Sequence, residues 1–250
     1  DYTLTWNVTN CTFYDNVAQD NGGAAYITTG IDGPPTMIMR FKDVVSDSNL
    51  ATSGGFMYLL PAVESYIDIR LDNFTLRNGE NIGAFMTYNN SQALQFNLTI
   101  DNSLFDSNDG SLIHLEQITD SCNFQLQLLR SQFTNNTSPD DGTVLGLIVY
   151  GNSTLNVSAI NNTFAHNTDL GNGGVLYFEL ATDSTINMDF QGNYFTNNTA
   201  INIGGAVYAY FGGLGQVAFE CTSNVFDGNK ATNQNGGVFA FFSIDPTIGN

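Results

Sequence analysis

The feature that most constrains this chain is a unit of about 30 residues that recurs along its whole length, seen most clearly from Thr185 to Tyr210. That stretch reads TINMDFQGNYFTNNTAINIGGAVYAY. It consists of an alternating strand, a Phe-x-x-Asn segment and a Gly-Gly pair that opens a second apolar run. A chain built from one repeated unit forms its core between stacked copies of that unit.

Eight copies can be aligned on the Phe of Phe-x-x-Asn or its substitute, with spacings of 32, 31, 29, 28, 31, 31 and 31 residues. These anchors are Phe13, Val45, Leu76, Phe105, Phe133, Phe164, Phe195 and Phe226. Three residues later, six copies carry Asn, whereas the second has Ser48 and the third has Gly79. Since equivalent positions stack in a repeat array, we predict an internal ladder of side-chain amides. Its members are Asn16, Asn108, Asn136, Asn167, Asn198 and Asn229.

The residues before each anchor alternate between apolar and polar, as in Ile186, Met188 and Phe190. Period-two alternation predicts one half-buried strand per copy. The second copy is out of step, because Met37, Met39 and Phe41 fit the pattern better than Ile38 and Arg40, and we predict a one-residue bulge there.

These observations predict an all-β fold: a single-stranded, right-handed parallel β-helix of about eight coils, each of about 30 residues. The repeat is too short for a β-propeller, whose blades need roughly 40 to 50 residues. We expect residues 1–250 to form one domain without end caps of its own, since the pattern begins at Tyr2 and runs to Phe242.

The repeats resemble those of the polymorphic outer-membrane-protein family. The resemblance rests on GGAAY, GGFMY, GGVLY, GGAVY and GGVFA, which alternate with FYDN, FDSN, FTNN, FAHN and FDGN. It implies a β-helix displayed outside the cell, often adhesive or structural, and it implies no catalytic residue.

Charge and composition exclude several classes of function. Six Lys and Arg against 24 Asp and Glu give a net charge of −18, which argues against nucleic-acid and anionic-membrane partners. No apolar run reaches the roughly 18 to 20 residues that a transmembrane helix needs, so we expect no membrane insertion. We take the sequence as a mature or partial chain of an extracellular or cell-surface protein.

The sequon Asn-x-Ser/Thr begins at eleven positions, including Asn10 and Asn136. Asn136 lies on the predicted inner ladder and is expected to be bare. We predict N-glycosylation of a secreted glycoprotein at Asn7, Asn73, Asn89, Asn97, Asn135, Asn152, Asn156, Asn161 and Asn197.

The strands after the Gly-Gly pairs place aromatic residues at one alternate position. An inward Phe178 leaves Tyr26, Tyr58, Tyr177 and Tyr208 in an outward row, with Tyr210 beside it. Exposed aromatic rows are typical of contact surfaces. Packing against another protomer, stacking on sugar rings and burial under a loop remain open.

An enzyme is the less favoured alternative, because polysaccharide lyases and hydrolases need convergent carboxylates. Asp68, Arg70 and Asp72 form the one constellation worth naming, and we interpret them as solvated strand charges. His114 and His166 stand at different offsets, so we predict no metal site, cofactor or catalytic residue.

Three cysteines, Cys11, Cys122 and Cys221, are too few for a disulfide framework, and an intrachain bond would have to cross several coils. We expect free thiols, with a bond between chains through Cys11 or Cys122 as the alternative. The function we predict is an extracellular structural or adhesive glycoprotein that self-associates, with a head-to-tail filament as one form. The alternative is a carbohydrate-binding or polysaccharide-cleaving β-helix module with a glycan partner.

Overall fold

The computed structural model describes residues 3–28, 36–60, 65–82, 86–89, 95–118, 122–139, 141–149, 153–180, 184–212 and 216–244. Within these ranges the secondary structure is entirely β-strand and turn.

Sheet 1 contains the alternating seven-residue strands and is eight strands wide. Its strands are Thr3–Thr9, Thr36–Lys42, Tyr66–Asp72, Gln95–Asp101, Asn123–Leu129, Thr154–Ile160, Thr185–Gln191 and Gln216–Thr222. Sheet 2 contains the three-residue strands around the anchors, namely Thr12–Tyr14, Val45–Asp47, Thr75–Arg77, Leu104–Asp106, Gln132–Thr134, Thr163–Ala165, Tyr194–Thr196 and Val225–Asp227.

Sheet 3 contains the strands that follow the glycine corner. Its eight strands are Ala25–Thr28, Met57–Leu60, Met86–Asn89, Ile113–Ile118, Leu145–Val149, Leu176–Leu180, Val207–Gly212 and Phe239–Ile244. A minor row of short strands lies between sheets 2 and 3 and comprises Leu50–Ser53, Glu80–Ile82, Thr137–Ser138, Thr168–Asp169, Thr199–Ala200 and Lys230–Ala231.

Every strand pairs in parallel with the equivalent strand of the neighbouring copy, so one repeat forms one coil. The chain is a β-solenoid with about 31 residues per turn, which confirms the predicted fold class. At roughly 4.8 Å per coil, eight coils form a rod of about 40 Å.

The alignment of the second copy was wrong by one residue. Sheet 2 pairs Phe13 with Ser46 rather than with Val45, so Ser46 is the anchor and Asn49 takes the position assigned to Ser48. The strand Thr36–Lys42 pairs with both neighbours without a shift in register, so the predicted bulge is absent from it. Met37, Met39 and Phe41 are therefore the buried set.

The anchor phenylalanines form a column through the core. From Phe105 to Phe226, successive rings stack with centroids 5.1, 5.1, 4.6 and 4.9 Å apart. Where the anchor is the small Ser46, the volume is filled by Phe56, which contacts the rings of Phe13, Phe41 and Phe74 edge to face. Such aromatic contacts add to the stabilisation from buried area.

The coil turns at three corners, and each uses a left-handed backbone. Two corners carry mostly Asn, Asp and Ser, with φ between 48° and 57° for the non-glycine residues there. Asn and Asp tolerate this conformation better than other side chains do. The third corner is the Gly-Gly pair.

Each glycine of that pair has a separate reason. Gly173 has φ of +71°, whereas a Cβ on Gly174 would lie 2.2 Å from the carbonyl oxygen of Gly205 in the next coil. Two coils that lack the second glycine place Ser111 and Thr143 there. The Thr143 hydroxyl donates to the Gly174 carbonyl at 2.7 Å, so the close approach becomes a hydrogen bond. The Ser111 hydroxyl donates to the carbonyl of Gly142, the first residue of the corner pair in the next coil.

A column of buried asparagines runs along one inner corner, three residues after the anchors. Asn167 is representative: its Nδ2 donates to Asn198 Oδ1 at 2.9 Å and to the Phe133 carbonyl at 2.9 Å. Its Oδ1 accepts from the backbone N–H and the Nδ2 of Asn136, at 3.1 and 3.0 Å. The structure places six predicted residues and Asn49 at this position, namely Asn16, Asn49, Asn108, Asn136, Asn167, Asn198 and Asn229. Gly79 interrupts the amides between Asn49 and Asn108, and its backbone N–H donates to Asn108 Oδ1.

A second polar column, not anticipated from the sequence, lies two residues before the anchors. Asn162, Asn193 and Asn224 repeat the same pattern, with each Oδ1 accepting from the residue one coil earlier. Ser131 and Ser103 continue it towards the N-terminus. Val44 and Phe74 occupy the position in earlier coils, so the residue type changes along the rod.

Replacing Asn167 with alanine tests how much the first asparagine column contributes to the free energy of unfolding. The variant removes the two hydrogen bonds that Asn167 Oδ1 accepts from Asn136, and it leaves those buried donors unsatisfied. We therefore expect a loss of roughly 2–4 kcal/mol of unfolding free energy. Denaturant unfolding measures it. Asn187→Ala, at an exposed position of sheet 1, is the control and should change stability by less than about 0.5 kcal/mol. Equal effects of the two substitutions would contradict the role assigned to the column.

Candidate functional site

The predicted aromatic row is divided into two separate pairs. In sheet 3, Tyr26 pairs in register with Tyr58, and Tyr177 pairs with Tyr208. Thr87, His114 and Gly146 occupy the same position in the coils between them. The rings of Tyr26 and Tyr58 stack at 5.6 Å, and those of Tyr177 and Tyr208 stack at 5.2 Å.

Tyr177 is not a contact residue, because it is only 7% exposed. Its hydroxyl donates to the Glu179 carboxylate at 2.6 Å. Burial raises the pKa of Tyr177 far above its usual range, and the hydrogen bond to Glu179 and the charge of Asp141 raise it further. Alternation along the strand predicted an outward Tyr177. It could not show that the ring of Tyr208, in the next coil, stacks on the ring of Tyr177.

The remaining aromatics keep some exposure. Tyr26 is 51% exposed, and Tyr58 is half-buried beneath it. Tyr208 and Tyr210 are half-buried, and Phe242 lies 5.7 Å from the Tyr208 ring. Burial, followed by the charges of Glu179 and Asp141, raises the pKa of Tyr208. The exposed part of the predicted aromatic row is therefore confined to the two ends of sheet 3.

Four of the predicted glycosylation sites are exposed corner residues with positive φ. They are Asn73, Asn135, Asn161 and Asn197. In each of these sequons the middle residue points inward and the threonine begins or joins a short strand, as in Asn161-Asn162-Thr163. The residues that form this corner, an exposed Asn, an inward residue and a Thr, therefore also form an Asn-x-Thr sequon. Asn10, which the predicted list left out, has the same geometry, with φ of 53° and an exposed side chain.

The other predicted sequons lie on or near strands. Asn7 is exposed on sheet 1, whereas Asn97 and Asn156 are half-buried on its outer face. Asn97 donates to the Tyr66 hydroxyl and Asn156 accepts from Asn187. Asn89 ends a strand of sheet 3 with its side chain outside the described part of the structure, and Asn152 lies outside the described residues.

The outer face of sheet 1 carries charge at one end and amides at the other. Arg40 forms an ion pair with Asp68, so the Asp68, Arg70 and Asp72 constellation is in part neutralised. Towards the C-terminus, a groove of about 300 Å³ is lined by amide and hydroxyl side chains and by two carboxylates. Its polar lining includes Gln125, Asn156, Asn187, Asp189 and Glu220.

Two carboxylates on sheet 2 accept hydrogen bonds from the next coil and from the serine that follows them in sequence. Hydrogen bonds from Asn78, Ser48 and Arg77 outweigh burial and lower the pKa of Asp47. Burial would raise the pKa of Asp106, but donors on Thr134, Asn135 and Ser107 outweigh it and the pKa is lowered.

The first and last coils that the structure describes expose positions that interior coils bury. At the first coil Leu4 is 40% exposed, and at the last Val217 is 41% exposed, whereas the equivalent Ile67 and Ile186 have no exposed surface. A hollow of about 320 Å³ at the last coil is lined by Phe211, Val217, Phe219, Phe241 and Phe242.

The three cysteines all lie among the described residues, where each is a free thiol. Cys122 is buried, whereas Cys11 and Cys221 are exposed in the first and last coils. Cys221 occupies the inward position that Ala159 and Phe190 hold in the two preceding coils. It is exposed because no further coil covers it in the described part of the chain.

Within the described ranges, no group of three or more His, Cys, Asp or Glu side chains is arranged to bind a metal ion. No helix in that part of the chain is long and apolar enough to span a membrane. His114 lies on a sheet 3 strand and His166 at an exposed corner, so the structure does not bring the two histidines together.

Replacing Asp47 with asparagine tests how much the ionised Asp47 carboxylate contributes to the pH dependence of stability. Because the pKa of Asp47 is lower in the folded chain, its contribution is present above about pH 4 and is lost as the pH falls below that value. We expect Asp47→Asn to lower stability at pH 7 and to weaken its decline between about pH 4 and 2. Urea unfolding at several pH values measures both, with the exposed Asp189→Asn as control. An unchanged pH dependence in Asp47→Asn would contradict the assignment.

Among known proteins, the repeated unit matches one family model. A family model described as the Chlamydia polymorphic membrane protein repeat matches residues 10–28 and 194–210. No curated protein matches the chain, and no solved structure matches it. The polymorphic membrane proteins are not an enzyme family, and a repeat of this type indicates a surface or outer-membrane location. This protein therefore carries polymorphic-membrane-protein-type repeats, wound into a parallel β-helix.

Proposed function

We propose that this protein is an extracellular structural and adhesive glycoprotein without enzymatic activity, and that its copies stack head to tail. The observation that carries the proposal is that each coil pairs with the next through equivalent positions of one repeat, so a coil of one copy can pair with a coil of another by the same contacts. Positions that interior coils bury are exposed in the first and last coils that the structure describes. Burying them against each other removes apolar surface from water.

The asparagine column gives this stacking a direction. From Gly79 onward, each backbone N–H at this position donates to the Asn Oδ1 of the following coil, as Asn198 does to Asn229 at 3.1 Å. Among the described coils, the last therefore presents the Asn229 N–H as a donor, and the first presents Asn16 Oδ1 as an acceptor. A head-to-tail contact continues the column, whereas a head-to-head contact places two acceptors together.

Side-chain volumes also fit in that arrangement. Continuing the register of sheet 3 places Ala25 of the next copy on Phe239 and Tyr26 of the next copy on Ala240. In sheet 2 it extends the aromatic column from Phe226 to Phe13. Large side chains thus oppose small ones, which well-packed cores require.

The glycoprotein part of the proposal is supported by the exposed corner sequons. Their side chains stand at turns of the coil, away from the strand edges, where an attached glycan leaves the stacking faces open. Mass loss on enzymatic deglycosylation of native material tests this part, and an unchanged mass would remove it.

A carbohydrate-binding role is the second candidate, favoured by the groove on sheet 1. Amide and carboxylate side chains there can bind sugar hydroxyls, and the exposed Tyr26 and Tyr58 pair offers a stacking face elsewhere. Binding of neutral oligosaccharides that is lost on Asn187→Ala would favour this candidate, provided the protein stays monomeric.

A charge placed on one end face tests the stacking. We expect wild-type protein to form particles whose mass rises with concentration as multiples of 27.1 kDa. Val217→Lys should reduce association at least tenfold, because it places an ammonium group against an apolar surface. Sedimentation and electron microscopy measure both.

Ala218→Lys is the matched control, since Ala218 is the neighbouring residue on the same strand and lies on its outer face. It should associate as wild type does. A wild-type protein that remains monomeric at about 100 μM, or a Val217→Lys variant that assembles normally, would overturn head-to-tail stacking.

A further inference from the structure

One outward column of sheet 1 changes from basic to acidic along the rod. It stands six residues before the anchor of each coil, and we call it the charged column. With the coils numbered 1 to 8 in chain order, its members are Asn7, Arg40, Arg70, Thr99, Gln127, Ser158, Asp189 and Glu220. Two cations therefore stand in coils 2 and 3 and two carboxylates in coils 7 and 8, with three neutral side chains between them.

Each pair of like charges is unfavourable within one copy. Arg40 pairs in register with Arg70, and Asp189 pairs in register with Glu220. Like charges on adjacent strands, about 4.8 Å apart at the backbone, repel each other. Arg40 is partly neutralised by its ion pair with Asp68. Arg70, Asp189 and Glu220 are exposed and form no ion pair in the described part of the chain.

A second copy supplies the missing counter-charges when it lies antiparallel against the same face. A two-fold axis along the strand direction at coil 5 reverses the order of the coils and keeps each column opposite itself. Coil 3 then faces coil 7, and coil 2 faces coil 8. Arg70 stands opposite Asp189 of the second copy, and Arg40 stands opposite Glu220. Each contact occurs twice, because a two-fold contact uses the same surface on both copies.

Other arrangements do not match both pairs of charges. Moving the axis by half a coil step sets Arg40 opposite Asp189 but leaves Arg70 opposite Ser158. An axis along the rod keeps each coil opposite itself, so Arg70 would oppose Arg70 and Asp189 would oppose Asp189. Electrostatic complementarity fixes register and rejects pairings of like charges. The charged column therefore selects the antiparallel pair with its axis at coil 5.

The neighbouring column of sheet 1 is compatible with this pair. Gln125 and Gln127 both belong to coil 5, so each stands opposite its own copy at the axis. A primary amide donates and accepts, so two facing glutamines can hydrogen-bond to each other. Asp68 of coil 3 faces Asn187 of coil 7, whose amide is a donor for the carboxylate.

The face is large enough for a stable dimer. Strands of seven residues at roughly 3.3 Å per residue, in seven coils about 4.8 Å apart, cover about 800 Å². Specific protein interfaces bury about 800 Å² on each partner. The groove of about 300 Å³ beside Asp189 and Glu220 gives room for the guanidinium groups of the second copy. Arg suits such a contact because its planar group binds carboxylates with two hydrogen bonds.

We propose that the outer face of sheet 1 is a homodimer interface, on which two copies pair antiparallel with Arg70 of each opposite Asp189 of the other. The pairing goes beyond the stacking proposed above and does not rest on it, because this face is a side of the rod. Each copy carries a net charge of −18, which opposes association at long range. At about 0.15 M salt the Debye length of about 8 Å screens that repulsion more than it screens charges in contact.

The pairing has a consequence for two predicted glycosylation sites. Asn97 of coil 4 faces Asn156 of coil 6, so a glycan on either would occupy the interface. Both side chains are half-buried and hydrogen-bonded within their own copy. Peptide mapping of native material should find both sites bare, and a glycan on either would overturn the pairing.

Reversing one charge in each of two variants tests the contact reciprocally. Both variants carry Val217→Lys as well, so that end stacking does not contribute, and the protein with Val217→Lys alone is the parent. Arg70→Glu places two carboxylates at each contact, and Asp189→Arg places two guanidinium groups there. Each should weaken dimerisation at least tenfold. An equimolar mixture should dimerise as the parent does, because the mixed dimer has opposite charges at both contacts.

Sedimentation equilibrium at about 0.15 M salt measures these affinities. The parent should reach twice the chain mass of 27.1 kDa and grow no further. Asp227→Arg is the matched control, since it makes the same change in net charge as Asp189→Arg at an exposed position of sheet 2. It should dimerise as the parent does. Circular dichroism establishes that each variant is folded.

The outcomes separate the pairing from the other proposals. A monomeric parent, a single variant that dimerises as tightly as the parent, or a mixture that stays monomeric would overturn the pairing. A monomeric parent that binds neutral oligosaccharides would also favour the carbohydrate-binding candidate. Wild-type protein that stops at dimers would retain the pairing and remove the stacking. Filaments of wild type with a monomeric parent would do the reverse.

Discussion

A buried primary amide is costly unless both of its N–H groups and its oxygen find partners, and the asparagine column of this β-helix meets that demand through repetition. Asn167 makes two donor bonds and accepts two, and each bond runs to a neighbouring coil. Because the partner is the same residue one coil away, a column of any length is satisfied everywhere except at its ends. The repeat length, the left-handed corners and the phenylalanine column all serve to keep these amides in register.

That dependence on neighbours explains why the ends of the rod differ from each other. From Gly79 onward the backbone donors of the column point towards the C-terminal coil, so the column has a donor side and an acceptor side, and the apolar core is exposed in the first and last coils that the structure describes. The head-to-tail stacking that we propose follows this direction. A heterologous contact that does not close on itself extends into a filament.

Much of the fold could be predicted from the sequence because period-two strands, Phe-x-x-Asn and Gly-Gly are local signals. The second coil was misaligned because its anchor is the small polar Ser46, and an apolar neighbour, Val45, stood in the expected place. The second polar column was missed because its residue type changes from Val44 and Phe74 to serine and then asparagine. Burial of Tyr177 was missed because it depends on Tyr208 and Glu179, and a contact between coils leaves no mark in a single strand.

Hydrogen exchange of the side-chain amides tests the central claim most directly, namely that the buried asparagine column holds one coil to the next. With assigned Nδ2 resonances, Asn136, Asn167 and Asn198 should exchange at least 1,000-fold more slowly than Asn187, because an N–H in the column exchanges only when the coils separate. Equal exchange at all four side chains would show that the column opens freely, and would contradict this account of how the rod is built.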